Sequence, residues 1–241
     1  MDASNHRVPN RPRVLELQGF RVAYRHRVVL SGVDLEVLGD VPQVLVGPVA
    51  AGKSTLLRTL GGLNFHNEAI VGGQARLLGR PLSQENHVAL VGQQASAWIG
   101  SVADGLIGAA SIHSYGSTAE PGIPRKARLE CAVAMLERLD LHRIKGLLER
   151  PMLELSMLDA RLAMLVRFAA EFPAMLALDE PTVGMNDGDL REYCAILRKV
   201  AEAMPTLSRH TQSACCQRDW RKCRSTCRRK DRRISADCRL L

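Results

Sequence analysis

The chain has 241 residues, a formal net charge of +8, 46% hydrophobic residues and only 4% aromatic ones. That length and apolar content can bury a large core and suit one α/β unit with a helical insertion. No stretch approaches the ~20 consecutive apolar residues needed to cross a bilayer. Asp2, Asn5, His6 and Arg7 leave no apolar signal-peptide core at the start, so a soluble or membrane-peripheral chain is expected.

From Val14 to Val37 apolar and polar residues alternate, as in antiparallel strands. The apolar run Val44-Leu45-Val46 then leads into Gly47-Pro48-Val49-Ala50-Ala51-Gly52-Lys53-Ser54-Thr55. This is the G-x-x-x-x-G-K-[ST] spacing of a P-loop. Its glycines let the backbone wrap closely around a triphosphate, so that N–H groups face the phosphate oxygens. Lys53 is placed to reach the β- and γ-phosphates and Ser54 to offer its hydroxyl to Mg²⁺. A helix from Lys53 to Leu60 adds the positive end of its dipole. Strand before and helix after is the context that distinguishes such a loop from a chance glycine turn.

Further strand material runs from Ala75 to Val91 and ends before Gln93. Ser111 to Pro124, rich in Gly, Ser, Thr and Pro, reads as a linker. Arg125 to Leu148 has helical spacing at Leu129, Val133, Leu136 and Leu139, and Asp159 to Ala170 continues the helical part. Met175 to Leu178 has the apolar character of a buried parallel strand and stops at Asp179-Glu180-Pro181-Thr182. A carboxylate at the end of such a strand can hold a Mg²⁺ shell, here Asp179, and the next can polarise an attacking water, here Glu180. Asp189 to Ala203 is an amphipathic helix. Cys131 and Cys194, in helix-like segments, read as buried thiols of a reducing cytosol.

The tail differs in composition. Residues 208–241 hold 11 Lys/Arg against 3 Asp/Glu, which is the whole net charge, and five of the seven cysteines. Cys223, Cys227, Cys215, Cys238 and His210 follow no familiar zinc spacing. The charge suits nucleic acid, but Trp220 is the tail's only aromatic for stacking. Permitted codons from Ser208 onward, read one nucleotide later, give a strand, a Thr-His pair, a helix-like segment and another strand. A frameshift, with a disordered tail after Leu207, is the expectation.

In the P-loop and in Asp179-Glu180, ~125 residues apart, the chain resembles the ATP-binding subunit of ABC transporters, from about Val14 to Leu207. The resemblance implies a P-loop NTPase fold of the ABC ATPase type, α/β, with an antiparallel β subdomain and a helical subdomain at about 105–170. It divides the chain into a tail at 1–13, the nucleotide-binding domain at 14–207 and the tail at 208–241. It places Tyr24 on adenine, Gln93 near Mg²⁺ and water, and Leu155-Ser156-Met157-Leu158-Asp159 at the LSGGQ signature. Met157 and Leu158 stand where the family has paired glycines, and Asn186 stands where the D-loop has Asp, with Asp187 one place late. These departures, with a switch histidine missing from the tail, imply slow turnover or a degenerate nucleotide-binding module. Leu56 to Leu60, Leu63-Asn64, Gln93 to Trp98, Ser101 and Asp104 are similar to the phosphate-import ATPases. The implied cofactors are ATP and Mg²⁺. The implied partners are integral membrane permease subunits, a solute-binding protein and a second ATPase, identical or related, with nucleic acid disfavoured. The implied place is the cytoplasmic face of the membrane.

Overall fold

The computed structural model describes residues 13–25, 27–39, 42–63, 69–83, 86–92, 100–107, 124–209 and 235–236. Two sheets organise it. The first is antiparallel, formed by β1 (Arg13–Tyr24), β2 (Arg27–Leu38), β4 (Ala69–Leu77) and β5 (Arg80–Pro81) in the order β2-β1-β4-β5. The alternation between Val14 and Val37 is thus a hairpin, with Tyr24 opposite Arg27. One face of each strand carries the apolar residues, so Leu15, Leu17, Phe20, Val22, Leu30 and Val37 reach the core together.

The second sheet has the order β6-β7-β8-β3-β9. Its strands are β3 (Gln43–Val46), β6 (Ala89–Val91), β7 (Leu176–Asp179), β8 (Thr206–Arg209) and β9 (Ser235–Ala236). All pair in parallel except β9, which runs antiparallel to β3. Parallel strands end on one side, and the carboxyl ends of β3, β7 and β8 therefore lie next to one another.

Six α-helices are described: α1 (Lys53–Leu60), α2 (Val102–Leu106), α3 (Arg125–Arg138), α4 (His142–Lys145), α5 (Met157–Ala170) and α6 (Asp187–Ala203). A 3₁₀ turn at Met152–Glu154 precedes α5. The two faces of β7 separate two cores. Leu176 and Leu178 pack with α2 to α6, whereas Met175 and Ala177 pack with α1 and the antiparallel sheet. Period-two alternation on one strand thus joins both halves of the molecule.

Several expectations are corrected. The boundary expected after Leu207 falls inside β8, where Ser208 is buried and pairs on both sides, with Leu178 and Val44. A central strand that stopped at Leu207 would leave backbone groups of β3 and β7 unpaired, which burial penalises. The buried face of α3 is Ala132, Met135 and Leu136, continued by Leu139, with Leu129 and Val133 only half-buried at its flank. Cys131 lies off that face and is exposed, and Cys194 is half-buried, so neither is a core thiol. Helix α5 starts at Met157, before the expected Asp159, because the Ser156 hydroxyl accepts from Asp159 N–H and caps it there. Helix α2 was not expected at all. It is short but carries a capping box, with Ser101 and Asp104 satisfying each other's backbone N–H groups. Most of the linker at 111–124 lies outside the described residues.

Candidate nucleotide site

The loop from Gly47 to Gly52 leaves β3 and feeds α1. Two of its residues have left-handed backbone, Ala50 at φ 62° and Gly52 at φ 89°. At Gly52 the requirement is steric as well as conformational. A Cβ there would lie 2.6 Å from Leu30 Cδ2 and 3.3 Å from Val29 O. The β2 strand is therefore pressed against the loop, and only glycine fits beneath it. Tyr24, half-buried at the end of β1, packs against the same core as Val29 and Leu30, so the hairpin and the loop share one support.

Lys53 is only 3% exposed, and its Nζ donates to the carbonyls of Gly47 and Pro48, each at 2.7 Å. The lysine thus closes the loop on itself. Burial, and then the nearby Arg209, hold its ammonium below the ordinary value, against the opposite pull of Glu180 and Asp179. Ser54 and Thr55 follow in the first turn of α1, where the positive end of the helix dipole favours anions.

Asp179 ends β7 and Glu180 follows it, at 5% and 3% exposure respectively. Glu180 takes a left-handed φ of 51°, and Glu180 N–H donates to Arg209 O at 3.1 Å. Burial pushes the Asp179 carboxyl above its usual range, although Arg209 and Arg58 pull it down. Two carboxylates are therefore held in the interior beside the P-loop, which is costly unless cations accompany them.

The cation is supplied by β8. Arg209 pairs with Asp179 on one side and Leu45 on the other, between the strands that carry the two motifs. Its Nη1 donates to both Ser54 Oγ and Asp179 Oδ1, and its Nη2 lies 3.2 Å from Glu180 Oε1. Ser54 and Asp179 are hard oxygen donors of the kind Mg²⁺ takes. In this arrangement a guanidinium already lies between them, so the residues as placed do not admit the metal. Arg209 was not foreseen from the sequence. The available signal was its position as the first basic residue after the strand-like Thr206-Leu207.

Of the other expected residues, Ser156 is exposed at the start of α5, bonded to Asp159 N–H and to Asp159 Oδ2. Asp159 also pairs with Arg143, which reaches Glu192 on α6. Arg161, one turn into α5, donates from Nη1 to Pro181 O at 2.6 Å, tying this helix to the turn after Glu180. Asn186 caps α6 by accepting from the N–H groups of Gly188 and Asp189. Gln93 and His210 lie outside the described residues.

The family model for "ABC transporter" matches residues 30–183, which contain both the P-loop and Asp179-Glu180. The zinc transport system ATP-binding protein TroB of Treponema pallidum (strain Nichols) is 27% identical over 196 residues, 80% of this chain and 70% of TroB. The hemin import ATP-binding protein HmuV of Streptomyces coelicolor (strain ATCC BAA-471 / A3(2) / M145) is 33% identical over 184 residues, 76% of this chain and 62% of HmuV. The crystal structure of a nucleotide-free ATP-binding cassette from an ABC transporter superposes with a TM-score of 0.66 at 20% identity, covering 83% of this chain and 81% of that one. Its fold is therefore the fold seen here. The chain belongs to the ABC transporter family, as its ATP-binding domain.

Proposed function

We propose that the chain is the ATP-binding subunit of a solute-import system, peripheral to the membrane and docked on integral permease subunits. The observation that carries this reading is the placement of Lys53 and Ser54, from the loop after β3, beside buried Asp179 and Glu180 at the end of β7. Relatives named for zinc transport and hemin import support the import class. ATP would bind with its phosphates in the loop 47–52 and at the first turn of α1. Tyr24 would stack on adenine, Gln93 would face water and the permease, and Glu180 would polarise the water. Lys53 must first leave the carbonyls of Gly47 and Pro48, so binding opens the lysine's two internal hydrogen bonds.

Phosphate as the cargo rests on the residue order at Leu56 to Leu60, Leu63-Asn64, Gln93 to Trp98, Ser101 and Asp104. The last two have a local reason to be there, as the capping box of α2. The solute is in any case chosen by other subunits, a solute-binding protein among them. A second reading, a nucleotide-binding module with little turnover, is favoured by Arg209 in the carboxylate site and by Met157 and Leu158 in the signature. The shifted-frame origin of the tail remains part of this proposal and is decided by the nucleotide sequence across codons 205–210. Isolation of the chain from its native membranes tests the leading reading. A polytopic membrane protein should copurify with it, together with a second ATPase copy, and a chain recovered solely from the soluble fraction would contradict the assignment.

A further inference from the structure

We propose that Arg209 is a built-in cation that takes the place of Mg²⁺, so that this chain holds its site together, and binds a triphosphate, without the metal. The nucleotide half of the proposal rests on the ATP-binding reading above; the metal half does not.

Strand order is the first argument. β8 lies between β7 and β3, and Arg209 is its last residue, level with Asp179 and Leu45. A long side chain leaving that position meets both motifs at once. The second argument is the set of contacts. Nη1 donates to Ser54 Oγ and to Asp179 Oδ1, the two groups that would hold a metal, and Nη2 faces Glu180 Oε1 at 3.2 Å. The Arg209 side chain is 11% exposed, so these contacts are made away from bulk solvent, where charge pairing is strong.

Charge balance is the third argument. The two negative charges of Asp179 and Glu180 are offset by Arg209 and Lys53, and Arg58 also acts on Asp179, so no negative charge is left uncompensated. A divalent ion would have to enter beside a guanidinium that cannot lose its proton. It would also need octahedral oxygen ligands at ~2.0–2.1 Å, two of which are already accepting from Arg209. One donor is left unused, since Arg209 Nε–H is buried with no hydrogen-bond partner among the described residues. A guanidinium recognises phosphate oxygens well.

The test compares the full-length wild type with Arg209→Ala and Arg209→Lys, first without nucleotide. Wild type should melt at the same temperature in EDTA and in millimolar MgCl₂. Arg209→Ala should melt about 5–10 °C lower in EDTA, because two buried carboxylates lose their cation, and MgCl₂ should restore most of that loss. Arg209→Lys keeps the charge and should remain indifferent to Mg²⁺. Should Arg209→Ala fail to fold, the wild type still decides: a Mg²⁺-dependent rise in its melting temperature overturns the proposal.

ATP affinity is then measured on the same proteins. Wild type should change by less than about threefold between EDTA and Mg²⁺, whereas Arg209→Ala should gain about tenfold or more on adding Mg²⁺. A tenfold Mg²⁺ requirement in wild type overturns the proposal. If no protein binds ATP in either condition, the ATP-binding reading falls, and the melting temperatures alone still judge the role of Arg209 toward the metal.

Discussion

Replacing Leu158 and Met157 singly by glycine should have very different consequences, although the two are neighbours at the start of α5. Leu158 is 5% exposed and belongs to the core that α5 forms with α2, α3 and β7. Met157, one residue earlier, is 49% exposed at the first position of the helix. Removing a buried leucine side chain costs about 2–5 kcal/mol through lost transfer energy and the cavity left behind. Glycine in a helix adds up to about 1 kcal/mol of backbone entropy. Leu158→Gly should therefore lose about 3–6 kcal/mol, and Met157→Gly about 0.5–1 kcal/mol. For a chain of this size that corresponds to roughly 6–24 °C against at most about 4 °C. Thermal unfolding followed by far-ultraviolet circular dichroism reads both. Equal shifts, or a Leu158→Gly shift under about 2 °C, would refute the packing argument. Glycine at both positions would therefore remove a residue that anchors the helix.

Three further outcomes are expected. Asp104 is held below its ordinary value of 3.8, first by the Ser101 hydroxyl and backbone N–H, and then by Arg125. A depressed carboxylate stabilises the fold above its unfolded value and loses that contribution as pH falls through the folded one. Asp104→Asn should accordingly lower stability at neutral pH, and the difference from wild type in urea midpoints should vanish under acid conditions below the folded value. Gly52→Ala should destabilise by about 1–3 kcal/mol, from the φ of 89° and the 2.6 Å approach of Leu30, and an unchanged melting temperature would contradict the steric argument. The chain as it stands should turn over ATP below about 1 s⁻¹, because Arg209 lies against Glu180. Phosphate release at or above that rate would sink this expectation.

Legibility in the sequence followed the range of the interaction. The P-loop could be read because its glycines answer a local need, which the 2.6 Å gap beneath Gly52 makes concrete. Asp179-Glu180 could be singled out because the apolar run ending in two carboxylates occurs in the same chain as the P-loop. The α1 boundaries, Lys53 to Leu60, follow from the same local signals. Arg209 could not be read, because its place depends on β8 lying between β7 and β3, and strand order is a long-range property. The domain boundary after Leu207 failed for a related reason. Composition changes there, yet pairing with β3 and β7 carries the strand two residues further. Ser101, Asp104 and Ser156 were read for family likeness, and their hydrogen bonds give all three capping roles as well. Cys131 was misjudged because helical spacing alone does not fix which stripe of α3 is buried.

The central claim is that a nucleotide's phosphates bind in the loop closed by Lys53. ATP affinity of the wild-type chain and of Lys53→Ala, measured by equilibrium dialysis on proteins of matched melting behaviour, tests it most directly. Lys53 is the buried ammonium of that loop, and a charge-assisted contact to phosphate contributes about 1.5–3 kcal/mol. Lys53→Ala should therefore bind ATP about tenfold to a hundredfold more weakly. Equal affinities in the two proteins would mean that ATP does not bind in this loop.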